Sequence, residues 1–434
     1  MDDVTTFFAG VAAAHPRCFW LDGGGAREWS GRRSMVGWLD DDDVSLTFHA
    51  GLREVRRHTA GRVEVVGSDV FAVLEAELAA GSPDDQWFGY LGYAARPDLF
   101  PASPDPDLPD AVWMRARHLR FFDHGPLGTS YESSAVGLDS YDVPTTPEEY
   151  GAAFDRVQEQ LHAGNSYEVN LTYRLETVSD LDPLAAYLRL RTVNPAPYAG
   201  YLQHDVPGHR AWLLSSSPER YALVTADRML ETKPIKGTTP RGATPEEDEA
   251  ARHRLATDPK FRSENLMIVD LLRNDLSMVC EPGSVEVPVL MDVESYPSVH
   301  QLVSTVRGRL VDGVSTVQAL RALFPAGSMT GAPKLRTMQV IEEVEDSARG
   351  VYAGAFGWLT ADGRADLGVV IRSLTTNGDG TYRLGTGGGI TVRSDVDEEY
   401  AESRWKAERL LAALAVSPSA ISPGSSPPAP RSPA

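Results

Sequence analysis

Apolar residues recur at helical spacing in some stretches of this chain and gather in short runs elsewhere. Tyr150, Phe154, Val157 and Leu161 place one apolar stripe on a helix beginning near Thr146. Leu335, Met338, Ile341 and Val344 do the same, and so does the acidic-headed stretch from Asp397 that runs on to Leu410, Leu411 and Leu414. Phe19-Trp20-Leu21 and Trp87-Phe88-Gly89-Tyr90-Leu91-Gly92-Tyr93, bounded by Gly, Asp and Pro, read instead as strands of an antiparallel sheet. Between Tyr352 and Val392, strand-like runs alternate with the turns Ala361-Asp362-Gly363 and Asn377-Gly378-Asp379-Gly380, a meander pattern.

Helices and antiparallel strands in mixed order predict an α+β fold. Three regions divide the sequence: 1–145, strand-rich; 146–416, where amphipathic helices return; and 417–434, a Ser/Pro/Ala-rich tail without apolar periodicity, expected to be disordered. The first boundary marks a change of sequence pattern more than a physical division.

Composition narrows the classes. A chain of 434 residues, 42% hydrophobic, is long enough for one large core or two smaller ones. No apolar run has membrane-spanning length, and Met1-Asp2-Asp3 lacks the basic start of a signal peptide, so a cytoplasmic protein is expected. Cys18 and Cys280 lie far apart and form no metal or redox motif. A net charge of −20 argues against nucleic acid and anionic membranes as partners.

The same charge makes the rare lysines informative. Only Lys233, Lys236, Lys260, Lys334 and Lys406 occur, and arginine supplies the remaining fixed positive charge. An amine can lose its proton where a guanidinium cannot. Alone, Lys236 reads as a solvated loop cation; its setting among glycines and prolines, Lys233-Pro234-Ile235-Lys236-Gly237, favours chemistry. Downstream, Gly327-Ser328-Met329-Thr330-Gly331-Ala332-Pro333-Lys334 reads as a glycine-rich turn opening a helix, whose free N–H groups would suit an anion. It lacks the spacing and Lys-Ser/Thr ending of a P-loop, which favours a small carboxylate over a nucleotide.

Acids complete the picture. Glu399, Glu402 and Lys406 fall at i, i+3 and i+7 of the last helix, on one face. Glu264 opens the almost wholly apolar Glu264-Asn265-Leu266-Met267-Ile268-Val269, so its carboxylate is expected to be buried. Paired carboxylates of this kind suit Mg²⁺. The plainer alternatives are a solvated charged stripe and a helix N-cap.

The chain resembles the chorismate-utilising enzymes, and within them the branch that aminates C4, the component I subunits of aminodeoxychorismate synthases. The likeness runs from about Phe19 to about Leu414. It is carried by Ser166-Tyr167-Glu168-Val169-Asn170-Leu171-Thr172, Ser217-Pro218-Glu219-Arg220, Pro234-Ile235-Lys236-Gly237-Thr238, the Glu264 segment, Val299-His300-Gln301-Leu302-Val303-Ser304, the Gly327 turn and Gly387-Gly388-Gly389-Ile390.

The resemblance implies two packed antiparallel sheets flanked by helices with the active site between them. It implies Lys236 as nucleophile, its amine depressed below the usual lysine value; Glu219 as general acid; and His300 as a secondary catalytic residue, a core histidine being its alternative. Arg372 and Tyr352 would hold a carboxylate of chorismate, assisted by Thr330, Gly331, Gly387, Gly388, Gly389 and Lys406. Glu264 and Glu402 would bind Mg²⁺, with Glu399 close by. Enzymes of the C2-aminating branch usually carry alanine where Lys236 stands. Isochorismate-forming relatives use lysine where Glu168 stands. Anthranilate or 2-amino-2-deoxyisochorismate formation is the second reading, and a non-catalytic chorismate- or partner-binding protein the third. Neither cysteine lies in a Gly-x-Cys-x-Gly turn, so the partner implied is a glutamine amidotransferase subunit that delivers ammonia. Leu21-Asp22-Gly23 departs from the motif of the tryptophan-inhibited branch, and strong tryptophan inhibition is not expected.

Overall fold

The computed structural model describes residues 3–23, 32–100, 102–124, 146–296 and 299–414. The tail 417–434 and the stretch around the 145 boundary lie outside them. The described strands form two large sheets in which every pairing is antiparallel. One has nine strands, in the order Gly331–Ala332, Glu168–Val178, Thr381–Ile390, Ser373–Thr376, Ala211–Ser217, Tyr198–His204, Arg17–Asp22, Arg33–Trp38, His118–Asp123. The other has twelve, and its inner run joins Ile235–Pro240, Val299–Arg309, Met229–Lys233, Arg220–Val224, Ala365–Val369, Ala355–Thr360 and Gln86–Leu91.

The two sheets face each other across Phe19, Phe88, Tyr90, Leu202, Leu213 and Phe356, with the Phe19 and Phe88 rings stacked at 3.9 Å. Gly200 permits the approach, since a Cβ there would stand 2.6 Å from the Phe356 ring. Helices cover both outer faces, as the apolar stripes require. On the nine-stranded sheet, Phe8, Tyr187, Leu190, Leu410 and Leu411 pack over Trp20 and Tyr201; on the other, Leu272, Leu276, Leu320 and Leu323 pack over Tyr221 and Val306. The expected α+β fold of two packed antiparallel sheets flanked by helices is the observed one.

Strands from both sides of residue 145 share each sheet. Arg17–Asp22 pairs with Tyr198–His204, and Gln86–Leu91 with Ala355–Thr360. The predicted helix at Tyr150 spans Glu148–His162, and the last helix spans Val396–Ala413 with Asp395 as its N-cap. The meander expected between Tyr352 and Val392 divides. Ala355–Thr360 and Ala365–Val369 form a hairpin in the larger sheet, whereas Ser373–Thr376 and Thr381–Ile390 belong to the smaller. The chain crosses between sheets at Arg372, whose φ of 51° is left-handed, a conformation that costs a non-glycine residue on the order of 1 kcal/mol.

Candidate active site

Beside that crossing, a cavity of about 120 Å³ opens between the sheet ends and the last helix. Lys236 enters it from Ile235–Pro240, where the register against Val299–Arg309 slips between Ile235 and Thr238. Gly237 sits in this irregularity at φ 91°. Such a bulge re-aims a side chain, and here it sends Lys236 inward, where it is buried and ion-paired with Glu168. Burial alone would pull the amine down, but Glu168, then Glu264 and Glu219, hold it above the usual lysine value. The expectation of a depressed amine is thereby corrected: three carboxylates outweigh burial. Lys233, three residues before it, is itself paired with Glu294 at 2.6 Å.

Glu219 precedes Arg220–Val224 and accepts a hydrogen bond from Ser328 Oγ at 2.5 Å. Burial pushes its carboxyl up to about 7, against Ser328 and Lys236, which pull it down. A carboxyl half protonated near neutrality is suited to donate a proton.

Glu264 lies within the helix Pro259–Ser277, whose N-cap is Asp258, so the N-cap alternative falls away. Its Oε1 is buried without a partner, and burial, opposed by Lys236, raises the group to about 7. Glu402 faces the same cavity from the last helix, 2.8 Å from Lys406, which with other cations holds its carboxyl below the usual range. Lys406 also donates to the Gly387 carbonyl at 2.9 Å. Glu399 does not join them: it is engaged by Lys260 at 2.7 Å and Ser394 at 2.8 Å and does not line the cavity. A spacing of i, i+3 fixes a helix face but not which neighbour captures the side chain.

Arg372 and Tyr352 both line the cavity. The guanidinium is half-buried, has no carboxylate partner among the described residues, and rests 5.7 Å from the Trp405 ring. Burial, with Arg409 adding to it, pulls it down to about 10. Burial raises the Tyr352 phenol. An unpaired arginine fork in a pocket is a receptor for a carboxylate.

Of the glycines, Gly387, Gly388 and Gly389 line the cavity on Thr381–Ile390. A Cβ on Gly389 would stand 2.3 Å from Glu168 Oε1 and 3.0 Å from Lys236 Nζ, so this glycine makes room for the ion pair. Thr330 and Gly331 do not line it. The Thr330 hydroxyl donates to the Gly327 carbonyl at 3.1 Å, and Gly331 pairs with Val169 in the sheet. The turn is a 3₁₀ helix, Gly327–Met329, followed by a two-residue strand, and it presents Ser328 and Met329 to the cavity. The anion site expected at the next helix start is absent from the cavity lining as well, and Lys334 there is paired with Asp275 at 2.5 Å.

His300 is a core histidine. Its ring nitrogens meet Ser295 at 2.7 Å and Asp248 at 3.0 Å. Strand alternation explains this: the adjacent Gln301 lines the cavity, so His300 turns to the opposite face.

Sequence reasoning missed Arg349. Buried behind the cavity, it donates to the carbonyls of Met329 at 2.6 Å and Asn170 at 2.7 Å, and to Glu345 at 2.8 Å. Glu345 in turn accepts from the backbone and hydroxyl of Thr172, both at 2.9 Å. This clamp joins two cavity walls. The i, i+4 spacing of Glu345 and Arg349 was its one sequence signal.

Residues 17–412 match the family of chorismate binding enzymes. The chain belongs to that family. Among curated relatives of this chorismate binding enzyme, the aminodeoxychorismate synthase of Streptomyces pristinaespiralis is 40% identical over 463 residues, covering 95% of this chain and 64% of the relative. Component 1 of aminodeoxychorismate synthase from Escherichia coli strain K12 is 42% identical over 269 residues, covering 62% of this chain and 58% of the relative. The chain thus spans about three fifths of the length of these relatives. Anthranilate synthase component I of Streptococcus pneumoniae TIGR4 superposes with a TM-score of 0.71 at 25% identity, covering 88% of this chain and 92% of that one. The menaquinone-specific isochorismate synthase of Escherichia coli, at 19% identity and a TM-score of 0.66 over 92% and 89%, shares the fold. No helix among the described residues is long and apolar enough to cross a membrane.

Proposed function

We propose that this chain aminates chorismate at C4, giving 4-amino-4-deoxychorismate, as the component I subunit of an aminodeoxychorismate synthase. The observation that carries the reading is the meeting of Lys236, ion-paired with Glu168, and Glu219 in one cavity that is also lined by the unpaired Arg372. Arg372 and Tyr352 bind a carboxylate of chorismate. Lys236 is a cation in the free protein, so it must lose a proton before it acts, and Glu168 is the acceptor in contact with it. The neutral amine attacks C2 as Glu219 protonates the departing C4 oxygen; ammonia then attacks C4 and expels the lysine.

Glu264 and Glu402 fit Mg²⁺: two carboxylates face one cavity, and one carries a buried oxygen without a partner. Bound there, Mg²⁺ would offset the negative charge of the substrate. Ammonia comes from a partner subunit, which we take to be a glutamine amidotransferase; the component 1 naming of relatives supports a second component. Incubation with chorismate, Mg²⁺ and ammonium, followed by an aminodeoxychorismate lyase, tests the reading. p-Aminobenzoate is expected; anthranilate alone would establish the C2-aminating reading instead, and no product at saturating Mg²⁺ the non-catalytic one.

A further inference from the structure

Two residues of the cavity wall, Asn170 and Gln301, and the Lys236 partner Glu168 carry buried oxygens that Mg²⁺ ligation by Glu264 and Glu402 leaves unexplained. Glu168 Oε2, Asn170 Oδ1 and Gln301 Oε1 each lack a hydrogen-bond donor, although their residues are at most 7% exposed. An unmet acceptor in such a place costs about 1–3 kcal/mol, so one orphan is notable and three bordering one cavity point to a ligand. Glu168 and Asn170 are two apart on Glu168–Val178 and therefore share a face. Asn170 stands opposite Gly389 in the sheet, and it is over Gly389 that the Glu168 carboxylate lies. The Asn170 amide cannot simply be turned round, because its Nδ2 donates to the Ser328 carbonyl at 3.1 Å. The other Glu168 oxygen is committed to Lys236. Gln301 reaches the same cavity from the facing sheet.

We propose that these acceptors form the docking site for the nitrogen nucleophile, ammonia or its conjugate acid ammonium; the inference rests on the amination reading above. Acceptors left without a donor fit a ligand that is chiefly a donor. Ammonia offers three N–H bonds, and when all three are taken its lone pair is left free for the carbon under attack. Water offers two, so one acceptor stays unmet, and the cradle favours ammonia over a competitor present at far higher concentration. The site thus binds the nucleophile and discriminates against hydration of the same carbon.

The test uses the full chain with saturating chorismate and Mg²⁺, reading whichever amine product forms. Asn170→Leu, similar in size but unable to accept, should raise the ammonium KM about 10-fold and increase the share of water-derived product, with the chorismate KM within twofold. Asn170→Asp, which keeps the acceptor, should stay within about threefold of the wild type for ammonium. An unchanged ammonium KM in Asn170→Leu with a raised chorismate KM would overturn the proposal and make Asn170 a substrate-positioning residue. A second arm needs no variant and no turnover: wild-type crystals soaked in thallium(I), an ammonium mimic, should show an anomalous peak between Glu168 and Asn170 that excess ammonium removes. A map without that peak, or with it only beside Glu264 and Glu402, would equally overturn it. Product identity decides the amination reading, whereas the thallium map decides the cradle, so the two can fail separately.

Discussion

Two of the cavities among the described residues differ in how their charges are satisfied. The smaller, about 100 Å³, is lined by Leu21, Asp22, Tyr198, Phe356, Trp358 and Asp366. Its buried Asp22 accepts from Arg191 at 2.6 Å, Tyr187 at 3.2 Å and Ser34 at 3.4 Å, and Asp366 accepts from Tyr198 at 2.8 Å. None of its described lining side chains has a buried polar atom without a partner. The cavity at Lys236 is the reverse, with an arginine lacking an anion, a glutamate lacking a cation and acceptors lacking donors. Burial of charge is common to both. What distinguishes a site for ligands is that its electrostatics are completed only when they arrive.

The strongest test of the contrast is Lys236→Ala. Turnover should fall by several powers of ten with chorismate binding nearly intact, because the role proposed for the side chain is at the reacting carbons and not at the carboxylates; steady-state kinetics beside a binding titration check it. Retained wild-type turnover would return Lys236 to the status of a structural cation.

Glu264→Gln and Glu402→Gln come next. Each should weaken Mg²⁺ binding on the order of 10-fold or more, with activity partly restored at high Mg²⁺, as isothermal titration and metal-dependent rates will report. Indifference of both variants to metal would remove Mg²⁺ from this cavity.

Asp22→Asn probes the satisfied cavity. It leaves Arg191 partly buried without its counter-charge and should cost about 2–3 kcal/mol in denaturant unfolding at neutral pH, with kcat within twofold.

Glu219→Gln should act on stability in the opposite direction and by less. The folded carboxyl, at about 7, lies above its ordinary value of 4.5. Its contribution to stability is therefore present below pH 4.5 and is lost as pH rises through 7. The variant should match the wild type near pH 4 and exceed it at pH 8, by at most about 3 kcal/mol. At constant free ammonia, wild-type activity should fall above about pH 7 if Glu219 is the proposed acid, since it then loses its proton.

The sequence carried the fold and the chemistry of the cavity unevenly. Lys236, Glu219, Glu264, Glu402, Arg372 and Tyr352 stand in specific local motifs, and the structure brings all six to one cavity. Their long-range partners were not legible. Glu399 is taken by Lys260 and His300 by Asp248, across 139 and 52 residues. The sign of the Lys236 shift escaped for the same reason: it depends on three carboxylates from three separate segments. A run of strands and turns between Tyr352 and Val392 was visible, but not the change of sheet at Arg372, since a single left-handed residue leaves no mark in an apolar pattern.

The pairing of Gln86–Leu91 with Ala355–Thr360 also bears on how this protein is made. Leu91 finds its partner Ala355 only after roughly 260 further residues have left the ribosome, and Trp20 waits about two thirds as long for Tyr201. At about 5–20 residues per second, the first of these strands spends on the order of 15–50 s with an unfilled edge. The strands that close the two-sheet sandwich are thus the ones most exposed to mispairing during synthesis, and the nascent chain is where a chaperone would matter most to this protein.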